Sequence, residues 1–351
     1  MPGHGIGTMP SAIRIVSALA VVLLAACGRA PEPGVLVDGK RIPVIDMHLH
    51  TGTWAGTPPG FRKRLSDRVP TGFKWTMGLF VDYNLRGETI AGQLDKAGIS
   101  AGGLFAVYSP PTTGIAGNEF VAGEIASAPG RFYGFASLRI DDWNNNSAAE
   151  LARLEAGVNM PGMYGIKVAH GHQQFRFDDR RFDGIYEICG RLGKPAYLHT
   201  GTSPNPGTRT EPPYADPAYL EGSIQAFPEC IFILGHSGYD SHNKALNFTD
   251  SSILLAQKYD NVYLEPGALG AERAEALLPD YLRRIKEGKV VDKLIYGSDG
   301  PQFPGYVKSH LEAFVAGMKD AGYTAEEMEQ ILSGNFLRVF RLPAIQPGAT
   351  K

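Results

Sequence analysis

From residue 43 onward the chain alternates short apolar runs with longer amphipathic segments, eight times over. The runs fall at 43–50, 99–107, 132–138, 163–169, 195–199, 230–236, 261–265 and 292–299, each of strand length. Helical spacing occupies 86–97, 117–128, 147–157, 180–192, 216–226, 249–258, 270–287 and 306–341. Eight strand–helix units are the count of a closed α/β barrel, the (β/α)8 TIM-barrel class, as a single domain. A doubly wound open sheet needs no eighth unit and commonly carries a Gly-rich phosphate turn after its first strand; none follows residue 50 here. Local signals mark some boundaries. Ser147 is the expected N-cap of the third helix, Gly193 the stop of the fourth, and Thr324-Ala-Glu-Glu327 has the form of a capping box. The stretch 51–85 is long for a β/α loop and holds Trp54, Phe61, Phe73, Trp75 and Phe80, a composition that suits a lid or pocket wall.

The first residues do not share this pattern. Arg14 precedes an apolar run, Ile15 to Ala26, too short for a finished transmembrane helix and of the size of a secretory signal. Leu24-Ala25-Ala26-Cys27 resembles a bacterial lipobox. The expectation is a signal peptide over 1–26, a lipid-modified Cys27, a tether over 27–40 and the barrel domain over 41–345. The alternative is a plain signal peptide with Cys27 incidental. Gly28 rather than Asp after Cys27 implies the outer membrane, so the protein is expected to be exported and held to the periplasmic side of the envelope by lipid alone. Cys189 and Cys230 then either pair in an oxidising compartment or remain two separate buried thiols. With 34 basic against 36 acidic side chains, the formal net charge is −2. That balance lacks the basic face of a nucleic-acid binder and leaves a small neutral or mildly anionic molecule as the expected partner.

Chemistry-bearing side chains collect at the strands' C-terminal ends, where a barrel keeps its active site. His48 and His50 end the first run, His199 the fifth, His236 the sixth and Asp299 the eighth. Alternation places His48 and His50 on one face, about 6–7 Å apart along the strand. The same rule groups Lys167 with Gly165, His236 with Phe232 and Leu234, and Asp299 with Ile295 and Gly297, each taken as facing inward. Two imidazoles joined by a third and a carboxylate make a set that holds a catalytic divalent ion and leaves room for water.

The segments IDMHLH, GIKVAH, GKPAYLHTG, FPECIFILGHSG, NVYLE, KLIYGSDGPQFP and ILSGNFLRVFRL resemble the amidohydrolase superfamily, in its amidohydrolase-related branch, in order from residue 43 to 342. The resemblance implies one divalent metal, commonly zinc with manganese as the other choice, on His48, His50, His199 and Asp299. It implies that His236 lies beside the metal and polarises the substrate or steers water, and that Asp299 doubles as general base. It leaves Lys167 open. Some members carry a carboxylated Lys on the fourth strand bridging two metals; otherwise Lys167 is a charged pocket wall facing substrate, or a residue turned away. His170 and His172 form a second pair just past the fourth run, expected at the pocket mouth and not as the primary metal site. His242, Arg209 and Trp54 fall in rim loops, Asp46 lies deeper than His48, and His4 and His310 are given no role.

The implied activity is hydrolysis, a metal-activated water attacking the carbonyl of a small amide, lactone or other ester. The alternatives are a metal-dependent non-oxidative decarboxylase on the same ligand set and a non-catalytic binding lipoprotein. A decarboxylase needs a cation for a second carboxylate, for which Arg209 or Lys167 would serve.

Overall fold

In the computed structural model, residues 32–67, 69–270 and 275–345 are described. The expected signal peptide and Cys27 lie outside them. A hairpin of β1 (Val35–Val37) and β2 (Lys40–Ile42) precedes β3 (Ile45–His50). Then come β4 (Ala101–Phe105), a rim hairpin of β5 (Val107–Ser109) and β6 (Gly114–Ala116), β7 (Phe132–Ala136), β8 (Met163–Val168), β9 (Ala196–His199), β10 (Phe232–Gly235) and β11 (Val262–Glu265). Among the described residues seven strands pair in parallel in the order β3-β4-β7-β8-β9-β10-β11.

The eighth run joins the two edges without forming a regular strand. Ile295 N donates to Leu264 O (2.9 Å) on one side; Met47 N donates to Tyr296 O (3.1 Å) and His50 N to Gly300 O (2.7 Å) on the other. Its start, expected at 292, is a tight turn over Val291–Lys293. Side-chain bonds replace part of the ladder. Asp46 Oδ1 accepts from Ser298 N (2.9 Å), and Asp46 Oδ2 from Ser298 Oγ (2.6 Å). Asp46 is therefore a clamp across the barrel seam, and burial lifts its carboxyl to about 7 against those bonds.

Apolar side chains sort into two layers. Leu49, Leu104, Ala136, Ile166, Val168, Leu198, Phe232, Leu234, Val262, Leu264 and Tyr296 pack outward against helices such as Gly87–Ala97 and Tyr306–Asp320. Ile45, Met47, Phe105, Phe135, Tyr197, Ile233, Tyr263 and Ile295 fill the interior, where Phe336, Val339 and Phe340 of the last helix plug one end. Each fully buried aromatic or aliphatic side chain contributes roughly 1.5–3 kcal/mol by removal from water.

Three local expectations need correction or detail. The third helix is Trp143–Val158, so Ser147 lies inside it and Asp142 sits at its N-cap. The start is hidden in the polar run Asn144-Asn145-Asn146; Trp143, packed 4.7 Å from the Phe182 ring, anchors the extra turn. Gly193 does stop its helix, in the left-handed conformation (φ 61°), and the Thr324–Glu327 capping box is complete. The stretch 51–85 is structured, with helices Pro59–Ser66 and Met77–Asn84 and a 3₁₀ turn Thr71–Thr76. Phe73, Trp75 and Phe80 are exposed. Arg64 Nη1 donates to Asn205 Oδ1 (2.5 Å), linking this segment to the loop after β9. Cys189 and Cys230 form a disulfide with Cα atoms 5.2 Å apart, joining the helix Asp183–Leu192 to the entrance of β10.

Candidate active site

The C-terminal ends of β3, β8, β9, β10, β11 and the closing segment bring five imidazoles and two carboxylates together. His48 Nε2, His50 Nε2 and Asp299 Oδ1 form a triangle with sides of 3.1, 3.0 and 3.1 Å. His236 joins more loosely, with one donor atom each of His48, His236 and Asp299 within 4.8 Å of one another. The rings then run in a row: His50 to His48 at 5.0 Å, His48 to His236 at 5.1 Å, His236 to His199 at 4.4 Å and His199 to His172 at 4.7 Å between centroids. His199 Nε2 is sealed from solvent and has no hydrogen-bond partner among the described residues.

Strict alternation does not explain how all of these reach the interior. Ile45 and Met47 already face inward, and the β3–β4 register slips between Asp46 and Leu49. That irregularity rotates His48 inside together with His50 and leaves Asp46 facing the seam. The grouping of His236 with Phe232 and Leu234 is overturned, because those two pack outward and Ile233 faces in. His236 reaches the site because the strand ends at Gly235 and His236 takes a left-handed φ of 61°. Asp299 also has a left-handed φ, 63°, while Ile295 faces inward as expected. Left-handed backbone at two non-glycine residues is strain of the kind that persists where a side chain must be aimed.

Two residues not singled out in the sequence complete the centre. Glu265, at the end of β11, is buried; its Oε2 lies 3.2 Å from His48 Nδ1 and accepts from Tyr197 Oη (2.8 Å), while Oε1 accepts from Gly267 N (2.7 Å). A carboxylate at Nδ1 keeps a proton there, so Nε2, facing the triangle, is the nitrogen that would give up its hydrogen to a metal ion. Their partners lie far away in sequence; the only signal was a carboxylate closing an otherwise apolar strand.

The electrostatics favour positive charge at the triangle. Burial lowers His48, yet Glu265 and Asp299 outweigh it and lift the imidazole to about 9. Burial raises Asp299, yet His48 and the hydrogen bonds from both histidines hold it well below the usual carboxylate range. Burial keeps His236 neutral, down to about 4, and pushes His199 well below its ordinary value. The geometry also fits a metal ion: donors about 2.1 Å from a zinc-like ion stand about 3.0–3.4 Å apart in octahedral or tetrahedral shells, the separations seen in the triangle.

Lys167 is buried and faces inward, with Nζ 4.0 Å from the Tyr197 ring centroid and 4.8 Å from that of Phe105. Burial pulls it down to about 7 against Asp299 and Glu265. Arg209 is turned to other work, paired with Glu211 (2.7 Å) and laid over Tyr214. His310 is fully buried, its Nε2 2.8 Å from Gly267 O and its Nδ1 3.0 Å from Tyr296 Oη, so it braces the turn behind His236.

The comparisons with known proteins agree with this geometry. Residues 45–342 match the family described as amidohydrolase, and the chain belongs to that family. It is 30% identical over 168 residues to protein fluG of Emericella nidulans, a match covering 44% of this chain but only 18% of that protein. Among solved structures it resembles an uncharacterised TIM-barrel protein from Bordetella bronchiseptica (TM-score 0.63, 20% identity, 86% of this chain and 99% of that one). It also resembles a probable 2-pyrone-4,6-dicarboxylic acid hydrolase from Acinetobacter baumannii (TM-score 0.57, 16% identity, 86% and 100%). A 2,6-dihydroxybenzoate decarboxylase is similar to the same degree (TM-score 0.57, 17% identity, 86% and 100%). At these identities the structural likeness shows the barrel fold.

Proposed function

We propose that the protein is a metal-dependent hydrolase of a small carbonyl compound, an amide, lactone or other ester. The convergence of His48 Nε2, His50 Nε2 and Asp299 Oδ1 carries this reading. With His199, whose Nε2 lone pair is unclaimed, they are the residues that would hold one divalent ion, zinc or manganese. When bound, such an ion supplies Lewis acidity to a carbonyl and lowers the pKa of water.

The remaining steps belong to the chain. Asp299, kept ionised, takes the proton released as water adds to the carbonyl and returns it to the leaving group. His236, neutral and beside the triangle, donates a hydrogen bond to the oxygen that becomes negative. Glu265 and Tyr197 hold the His48 ring.

One observation favours the decarboxylase alternative. Lys167 lies against aromatic faces with no hydrogen-bond or ion-pair partner among the described residues, so a substrate carboxylate would find an unpaired amine there, which its charge would hold protonated. Arg209 offers none, being engaged by Glu211. Lys167 as a bridge between two metals remains the other outcome of a stoichiometry measurement. The deciding experiment incubates the zinc- or manganese-loaded protein with small lactones, amides and aromatic carboxylates. Release of acid without carbon dioxide is expected; carbon dioxide from the aromatic carboxylates would reverse the assignment. The complete residue set argues against a silent binding protein.

The export reading is proposed on the same footing. The Cys189–Cys230 disulfide supports a working place outside the reducing cytoplasm. Among the described residues no helix is long and apolar enough to cross a membrane. Mass spectrometry of the mature N-terminus should find a diacylglyceryl group on Cys27; an unmodified cysteine, or cleavage elsewhere, would contradict the anchor.

A further inference from the structure

The second His-x-His pair sits on a helical turn, His170–Gln173. Residues two apart on a helix point about 200° apart, so this pair diverges where a pair on a strand converges. His170 goes into the apolar layer, 4.1 Å from the Phe175 ring and 4.2 Å from the Phe177 ring, with Nε2 3.3 Å from Tyr186 Oη. His172 goes the other way and ends the row of rings, edge-on to His199 at 4.7 Å.

The hydroxyls around Nδ1 favour one tautomer. Thr112 Oγ1 spends its one proton on a backbone carbonyl, His172 O at 3.2 Å or Ser109 O at 3.5 Å. With its proton there, Thr112 Oγ1 meets His172 Nδ1, 3.3 Å away, with a lone pair; a hydrogen on Nδ1 is then accepted by it and by Thr208 Oγ1, 3.2 Å from the same nitrogen, whereas the other tautomer sets two lone pairs against each other. Nε2 is left as a lone pair with no partner among the described residues, and unlike His199 Nε2 it is not sealed from solvent.

The turn is also held rigidly. Gln173 Oε1 accepts from Ala169 N (2.8 Å), Gln173 Nε2 donates to Leu138 O (2.8 Å), and Arg209 N donates to Gly171 O (3.0 Å). Loops after β4, β7, β8 and β9 thus cooperate to fix one buried acceptor beside the candidate metal residues. A supporting shell of this kind is what gives a binding group a defined direction.

We infer that His172 is a substrate-binding residue whose Nε2 accepts a hydrogen bond from an N–H or O–H next to the reacting carbonyl. The substrate class then narrows to amides, or to esters bearing a neighbouring hydroxyl, in preference to unsubstituted lactones. This rests on the metal-dependent reading above. A site built to bond such a donor discriminates strongly against an analogue lacking it.

Acetohydroxamic acid and N-methylacetohydroxamic acid test it, since both chelate through two oxygens and differ in the N–H. Titration calorimetry on the zinc-loaded full-length protein should show the first binding about tenfold or more tighter. In His172→Phe the ratio should fall to within about twofold with metal content unchanged, and His172→Gln, which keeps an acceptor oxygen, should retain part of it. An equal ratio in wild type and His172→Phe would overturn the inference. So would loss of metal from His172→Phe and His172→Gln, which would make the residue part of the metal-holding set. Failure of both probes to bind the wild type would instead bring down the metal-site reading and this inference with it.

Discussion

His48 is a ligand candidate only because other side chains make it one. Its Nδ1 is 3.2 Å from Glu265 Oε2 and 2.9 Å from Tyr197 Oη, which aims Nε2 at the triangle. Replacing Glu265 by Gln keeps the shape and removes the charge. Metal affinity should drop about 10–100-fold, read by competition with a chromogenic chelator. His310 gives a second test at this scale. Burial lowers it to about 4, below its ordinary 6.5. The unfolded chain therefore binds more protons between pH 4 and 6.5, and stability falls as pH falls through that window. The contribution is roughly 3 kcal/mol over the full range. The difference between wild-type and His310→Gln urea unfolding curves should show that slope; parallel curves would contradict it.

At the level of elements, the strands were legible because each is an apolar run of the right length between helical segments. Where alternation is undisturbed it also told inside from outside: Lys167 lies inward on β8, and Ile295 inward in the closing segment. It misled where the backbone departs from a strand. His236 belongs to a turn with left-handed φ, and β3 is irregular at Met47 and His48. Neither departure is encoded in hydrophobic period. Glu265, Tyr197 and the inward face of His172 were not legible either, because their partners come from other loops and strands. The turn after β11 illustrates this dependence. Gly267 has φ 53°, and a Cβ there would lie 2.1 Å from His236 Nδ1. Gly267→Ala should therefore displace His236, lowering kcat about a hundredfold while leaving metal content unchanged, as measured by turnover alongside elemental analysis.

Over the whole molecule, the barrel matters because it closes. The run 294–300 bonds to β11 on one side and β3 on the other, and that closure delivers Asp299 to histidines some 250 positions earlier. The Asp46–Ser298 clamp holds the seam beneath the site, and the last helix fills the far end. We propose that this closure builds a centre for one divalent ion. Elemental analysis of the purified protein, beside a His48→Ala/His50→Ala double variant and a Lys167→Ala variant, tests it directly. Close to one equivalent is expected in the wild type and in Lys167→Ala, and almost none in the double variant. A full equivalent retained by the double variant, or two equivalents lost together with Lys167, would contradict it.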